Sequence, residues 1–199
     1  MENKQITLKI HRPSAREKGF YFLAGVVMSV PMAVFFETYL QSALGGLSTI
    51  VATVISVAII APFVEEFSKA FPLFYRHGET QRSIVDLAVC VGFGFGVVEF
   101  LEYVFLLHVP VIDRIPGLLF HPASTAITAY GIANKKAKRY YLLAVGLHFA
   151  SNFLAVMSSA PISILITGLT VLIAYRLYGK TQEIIIKDDY AEVTELQSM

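Results

Sequence analysis

Charge is scarce in this chain of 199 residues. Only 16% is Asp, Glu, Lys or Arg, against about 25% in an ordinary soluble domain. Cysteine is nearly absent. The single Cys90 excludes an intrachain disulfide, and one thiolate cannot build a cysteine metal site. The charge is also balanced: a formal net charge of +1 gives no sign of a nucleic-acid partner. Internal repeats and low-complexity tracts are missing too. What fills the chain is apolar, with 55% hydrophobic residues and a mean hydropathy of +0.62. These figures describe an all-α, polytopic membrane protein, with one membrane domain taking essentially the whole length.

Six apolar runs are expected to cross the bilayer, each near the roughly 20 residues that a membrane helix needs. They cover about 19–40, 49–75, 83–107, 115–133, 140–157 and 162–178. The first is longer than a signal-peptide core of about 7–15 residues, and more spans follow, so it reads as retained. Six crossings place both ends on one side. Of the 16 Lys and Arg, all but Arg114 and the intramembrane Lys69 then fall on the side of the N-terminus. The positive-inside rule makes that side cytoplasmic. The expected organisation is a basic cytoplasmic segment 1–18, a transmembrane domain 19–178 and a cytoplasmic tail 179–199, multi-pass in the cell membrane. Gly92, Gly94 and Gly96 offer a small-residue face for close helix approach.

The second run carries Pro62, then Glu65, Glu66 and Lys69. A charge at the bilayer centre costs roughly 2.5–3.5 kcal/mol on insertion scales, so it implies a function and a partner. Lys69 is i+4 from Glu65 and i+3 from Glu66, so one acid can pair with it while the other faces inward. A buried Glu–Lys pair that only fixes packing leaves the second acid unexplained. Further polar residues lie in later runs: Glu99, His121, and His148 with Asn152 one turn on. Glu99, His121 and His148 make the two-imidazole, one-carboxylate ligand set of many catalytic zinc sites. Glu65 or Glu66 would then be the general base, with Glu66 preferred, and Asn152 would donate to an oxyanion or orient the base. The same residues also serve a metal-free hydrolase, and at this point both stay open. The span boundaries put the acids nearer the cytoplasmic half and His121 nearer the outer half, a depth mismatch that a kink at Pro62 would narrow.

Four segments in this order resemble the PrsW family of intramembrane proteases: Glu65-Glu66-x-x-Lys69, the Gly-Phe-rich helix ending in Glu99, His121 with Tyr130-Gly131, and His148-x-x-x-Asn152. The resemblance covers roughly residues 60–155. It implies kinship with the CAAX prenyl proteases, bacteriocin-processing proteins and a scaffold subunit of gamma-secretase. It also implies a multi-pass endopeptidase that cuts a membrane-anchored protein, in bacteria typically an anti-sigma factor, with Glu65, Glu66, Glu99, His121 and His148 as site residues. Two other classes remain beside it. A membrane scaffold or chaperone would use the same polar residues to hold helices together. A proton-coupled transporter would use them as a relay, although no matching halves with broken helices are visible.

Overall fold

The structure is a computed structural model. It describes residues 12–75, 80–157 and 160–182, with the side chains of 160–163 outside the description. The basic N-terminal segment up to residue 11, Arg76 and the tail beyond 182 therefore lie outside the described residues. Six continuous helices account for nearly all the rest: α1 (Ala15–Ser42), α2 (Thr49–Phe74), α3 (Gln81–Leu106), α4 (Val111–Ala133), α5 (Ala137–Met157) and α6 (Ala160–Tyr178). Each expected run is a helix, with ends moved by no more than four residues. Four of them, α1, α2, α3 and α5, are long and apolar enough to cross a membrane. The chain is a membrane protein with an all-helical fold.

Local chemistry explains where helices begin and bend. Ser14 caps α1 through a reciprocal pair: its Oγ accepts from Glu17 N–H at 3.3 Å, and Glu17 Oε2 accepts from Ser14 N–H at 2.7 Å. Thr80 caps α3 by accepting from Ser83 N–H at 3.1 Å. Two prolines set the irregularities inside α1 and α2. Ahead of Pro31, Val30 N–H reaches back five residues to Gly25 O; ahead of Pro62, Ala61 N–H reaches Ser56 O. Each is a widened turn that accommodates a residue with no N–H to give.

The widened turn in α2 has a further effect. Val57 O would accept from Ala61 in a regular helix, but Ala61 N–H goes to Ser56 O and Pro62 has no N–H to replace it. Asn152 Nδ2 on α5 donates to this freed carbonyl at 2.9 Å. The kink and its partner thus staple α2 to α5 directly below the two acids.

Helix α4 is the hub, packing against α3 most extensively and also against α2, α5 and α6. The close α3–α4 approach depends on glycine. A Cβ at Gly92 would stand 2.5 Å from His121 O, and one at Gly96 would stand 3.3 Å from the His121 ring. On the other side of α3, a Cβ at Gly94 would overlap the carbonyl oxygen of Phe22 on α1. The small-residue face is therefore two faces, one seating His121 and one seating α1.

The perimeter is apolar, with Phe20, Val27, Phe35, Ile50, Phe105 and Leu165 among the large exposed side chains. The centre holds Glu65, Glu66, Lys69, His121, Ser124 and His148 buried. An apolar outside around a polar inside is what lipid solvation requires. His121 lies near the middle of α4, because that helix starts at Val111 rather than at 115 and runs on through Pro116 and Pro122. The one-turn extension removes the expected depth mismatch with Glu65 and Glu66.

Gly92→Val is expected to destabilise the detergent-purified protein by at least about 1–3 kcal/mol, because backbone has to move. Gly146→Val, where a Cβ meets nothing within 4 Å, should leave the unfolding temperature within error of wild type.

Candidate active site

Glu66 is the centre of the polar cluster. It is fully buried, and its Oε1 accepts from Lys69 Nζ at 2.7 Å and from Ser124 Oγ at 3.0 Å. His148 Nδ1 stands 2.9 Å from the same oxygen. A carboxylate oxygen accepts, so the Nδ1 proton of His148 points at Glu66 and its Nε2 is left bare. Lys69 Nζ also lies 2.9 Å from His121 Nδ1. An ammonium only donates, so Nδ1 is the accepting nitrogen and the His121 proton is on Nε2. That proton is directed at Glu99 Oε2, 2.5 Å away. Glu99 Oε1 pairs with Arg114 at 3.1 Å, and the Arg114 guanidinium sits 3.5 Å from the centre of the Tyr103 ring. Both histidines are thus held by a carboxylate on one ring nitrogen and turn the other inward, with ring centres 5.6 Å apart.

Glu65 faces the opening between them. Its Oε2 lies 3.9 Å from His121 Nδ1 and 3.9 Å from His148 Nε2, and it has no hydrogen-bond partner. The residue is only 8% exposed. Charge counting singles it out: Lys69 answers Glu66, Arg114 answers Glu99, and among the described residues Glu65 is left without a cation. Of the two expected arrangements for the Glu pair, Glu66 takes the lysine and Glu65 is the inward acid.

Two cavities border the polar cluster. One of about 240 Å³ lies among α3, α4, α5 and α6, with Glu99, Arg114, His121, His148, Asn152 and Thr167 on its walls. The other, of about 140 Å³, lies among α1, α2 and α3 and is bordered by Glu65 and Glu99. Glu99 lines both.

A model of the PrsW family intramembrane metalloprotease matches residues 18–178. The chain belongs to the PrsW family. No curated protein and no solved structure matches it significantly. Membership in the PrsW family makes the chain an intramembrane protease, acting on a protein substrate within a lipid bilayer.

The metal in the family's description can be tested against the side chains of this PrsW member. Among the described residues, no three His, Cys, Asp or Glu stand together as a ready metal site. The donor chemistry nevertheless fits. Two imidazole nitrogens and a partnerless buried carboxylate oxygen surround one point, and each histidine is oriented by a carboxylate behind it, as metal-binding histidines are. The 3.9 Å spacings are somewhat wider than the about 3.3 Å between ligand atoms of a tetrahedral zinc shell. Lys69 would have to release His121 Nδ1.

The structure brings Glu65, Glu66, Glu99, His121 and His148 together. Glu99 is on the far side of His121, with its carboxylate directed at His121 Nε2 and Arg114. Asn152 lines the larger cavity while holding Val57 O. Residue reading gave no site role to three residues that border the cluster. Ser124 is one turn from His121 and bridges to Glu66; Arg114 answers Glu99; and Glu37 on α1 lines the smaller cavity. Glu37 was detectable by the rule that exposed the Glu pair, since it too is an acid inside an apolar run.

Removing only the cation should cost most. Lys69→Met leaves Glu66 buried and unpaired, and breaking such a pair costs about 3–5 kcal/mol. Lys69→Met with Glu66→Gln should recover much of that loss, as read from detergent unfolding curves of both variants.

Proposed function

We propose that the protein hydrolyses a peptide bond of a membrane-anchored protein at Glu65, between His121 and His148. The observation that carries this is Glu65 Oε2, a buried carboxylate oxygen with no cation and no hydrogen-bond donor, equidistant from two inward-turned imidazole nitrogens. A water between them would give its proton to Glu65 Oε2 as its oxygen attacks the scissile carbonyl carbon. Glu65 would then pass that proton to the leaving amine as the C–N bond breaks. Glu66 and Glu99 hold the imidazoles in register, and Lys69 neutralises Glu66. The substrate strand would occupy the larger cavity, where the second Nδ2 hydrogen of Asn152 would donate towards the developing oxyanion.

A zinc-like metal would be held by His121, His148 and Glu65, and would supply an acidified water and a polarised carbonyl. Glu99 would then orient His121 rather than bind the metal itself. Six crossings with both ends in the cytoplasm, placement in the cell membrane and the wider kinship with the CAAX prenyl proteases belong to the same proposal. The support is the match of six helices to six apolar runs and the order of the Glu-Glu-x-x-Lys, Glu, His and His-x-x-x-Asn segments. A scaffold role would need the same side chains only as glue, and it leaves the unbonded Glu65 Oε2 without a purpose.

Glu65→Gln should lower cleavage of a tagged single-span test protein in liposomes by at least about 100-fold, with an elution profile and unfolding temperature like wild type. Unchanged cleavage would sink the assignment. Zinc content per purified chain supplies a substrate-free readout. Near-stoichiometric zinc that is lost in a monodisperse His148→Ala variant supports the metal form, and zinc-free, active wild type eliminates it. Glu99→Gln is expected to weaken metal binding or activity by about 10–100-fold through misorientation of His121.

A further inference from the structure

Hydrolysis inside a bilayer needs a route for water, and the substrate would fill the larger cavity. The smaller cavity is on the opposite side of Glu99, and its walls are chemically unusual for a membrane protein. Glu37 from α1, Glu65 from α2, and Glu99, Glu102 and Tyr103 from α3 share about 140 Å³ with Val30, Ala33, Val34 and Phe95. The two cations of the centre are engaged elsewhere, Lys69 on Glu66 and Arg114 on Glu99. Glu37 is partly buried on a helix whose neighbouring side chains, Phe35, Phe36 and Tyr39, are exposed and apolar. Glu65 is a wall residue whose Oε2 finds no protein partner. Glu102, at the end of α3, is exposed and opens the acidic wall to the surface.

Carboxyl groups in a dry apolar site cost several kcal/mol each unless something solvates them. A cavity is wet when it is polar and has room for more than one water, and this one meets both conditions. We infer that the cavity between α1, α2 and α3 is a water-filled vestibule that delivers the hydrolytic water to Glu65, and that Glu37 is the residue that keeps it wet. Two openings then serve one carboxylate: the substrate approaches from the His121 and His148 side, and water from the Glu37 side. The delivery half of this inference rests on the hydrolytic reading above. The vestibule itself does not.

The chain has one cysteine, so thiol accessibility can be read cleanly in a Cys90→Ser background. Val34 and Phe35 are adjacent on α1, hence at the same depth within about 1.5 Å. Both are largely exposed, at 55% and 67%, but only Val34 borders the cavity. Val34→Cys and Phe35→Cys in liposomes would be treated with a cationic, membrane-impermeant methanethiosulfonate, which reacts only where water reaches the thiol. The expected result is at least tenfold faster labelling at position 34. Adding Glu37→Leu should bring the Val34→Cys rate down to that of Phe35→Cys and lower cleavage of the single-span test protein. Equal rates at 34 and 35 would overturn the vestibule. Fast labelling at 34 that survives Glu37→Leu would overturn the role of Glu37. Labelling does not require protease activity, so loss of the vestibule and loss of the hydrolytic reading give different results.

Discussion

The structure depends on neutralising one buried carboxylate, Glu66, in a region that water does not solvate. Lys69, Ser124 and His148 all converge on its Oε1, and they come from α2, α4 and α5. A fully buried Glu–Lys pair is poor evidence of stability in itself, because desolvation offsets most of the Coulomb gain. Its effect here is positional. Lys69 spans Glu66 and His121, so the charge that balances one acid also sets the tautomer of one imidazole. The pair fixes which nitrogen of each histidine faces the opening, and it leaves Glu65 as the unanswered acid.

Two backbone irregularities make that arrangement reachable. The widened turn before Pro62 frees Val57 O, and Asn152 takes it, so the residue one turn beyond His148 anchors α5 to α2. On the opposite side, Gly92 and Gly96 let α3 approach α4 until the backbone and ring of His121 press against them. A proline therefore sets the α2–α5 side and glycines set the α3–α4 side. His121 is held between Lys69 and Glu99, with no freedom to rotate away without breaking a contact to a charged group.

A polar centre in an apolar shell separates two tasks that a soluble protease performs in bulk water. Substrate has to be held where lipid is excluded, and water has to be admitted without letting the helices part. In the proposed mechanism the two cavities, which share Glu99 as a wall residue, would give each task its own wall, and Glu65 borders the one that the histidines do not.

The sequence by itself determined that the chain is helical and membrane-embedded, since runs of about 20 apolar residues leave few alternatives. It also marked Glu65, Glu66, Glu99, His121 and His148 as candidate partners for one another, because each is costly to leave alone in lipid. Only the tertiary structure decided the contacts. Spacing allowed Lys69 to pair with either acid, and contacts from α4 and α5 selected Glu66. Glu99 was legible as an inward acid, but its place behind His121 depends on Arg114, 15 positions further along the chain. The depth of His121 differs from the expected one because α4 starts one turn early, where Asp113 and Arg114 interrupt the apolar run. Pairing, tautomer and depth are relations between helices, and no single helix encodes them.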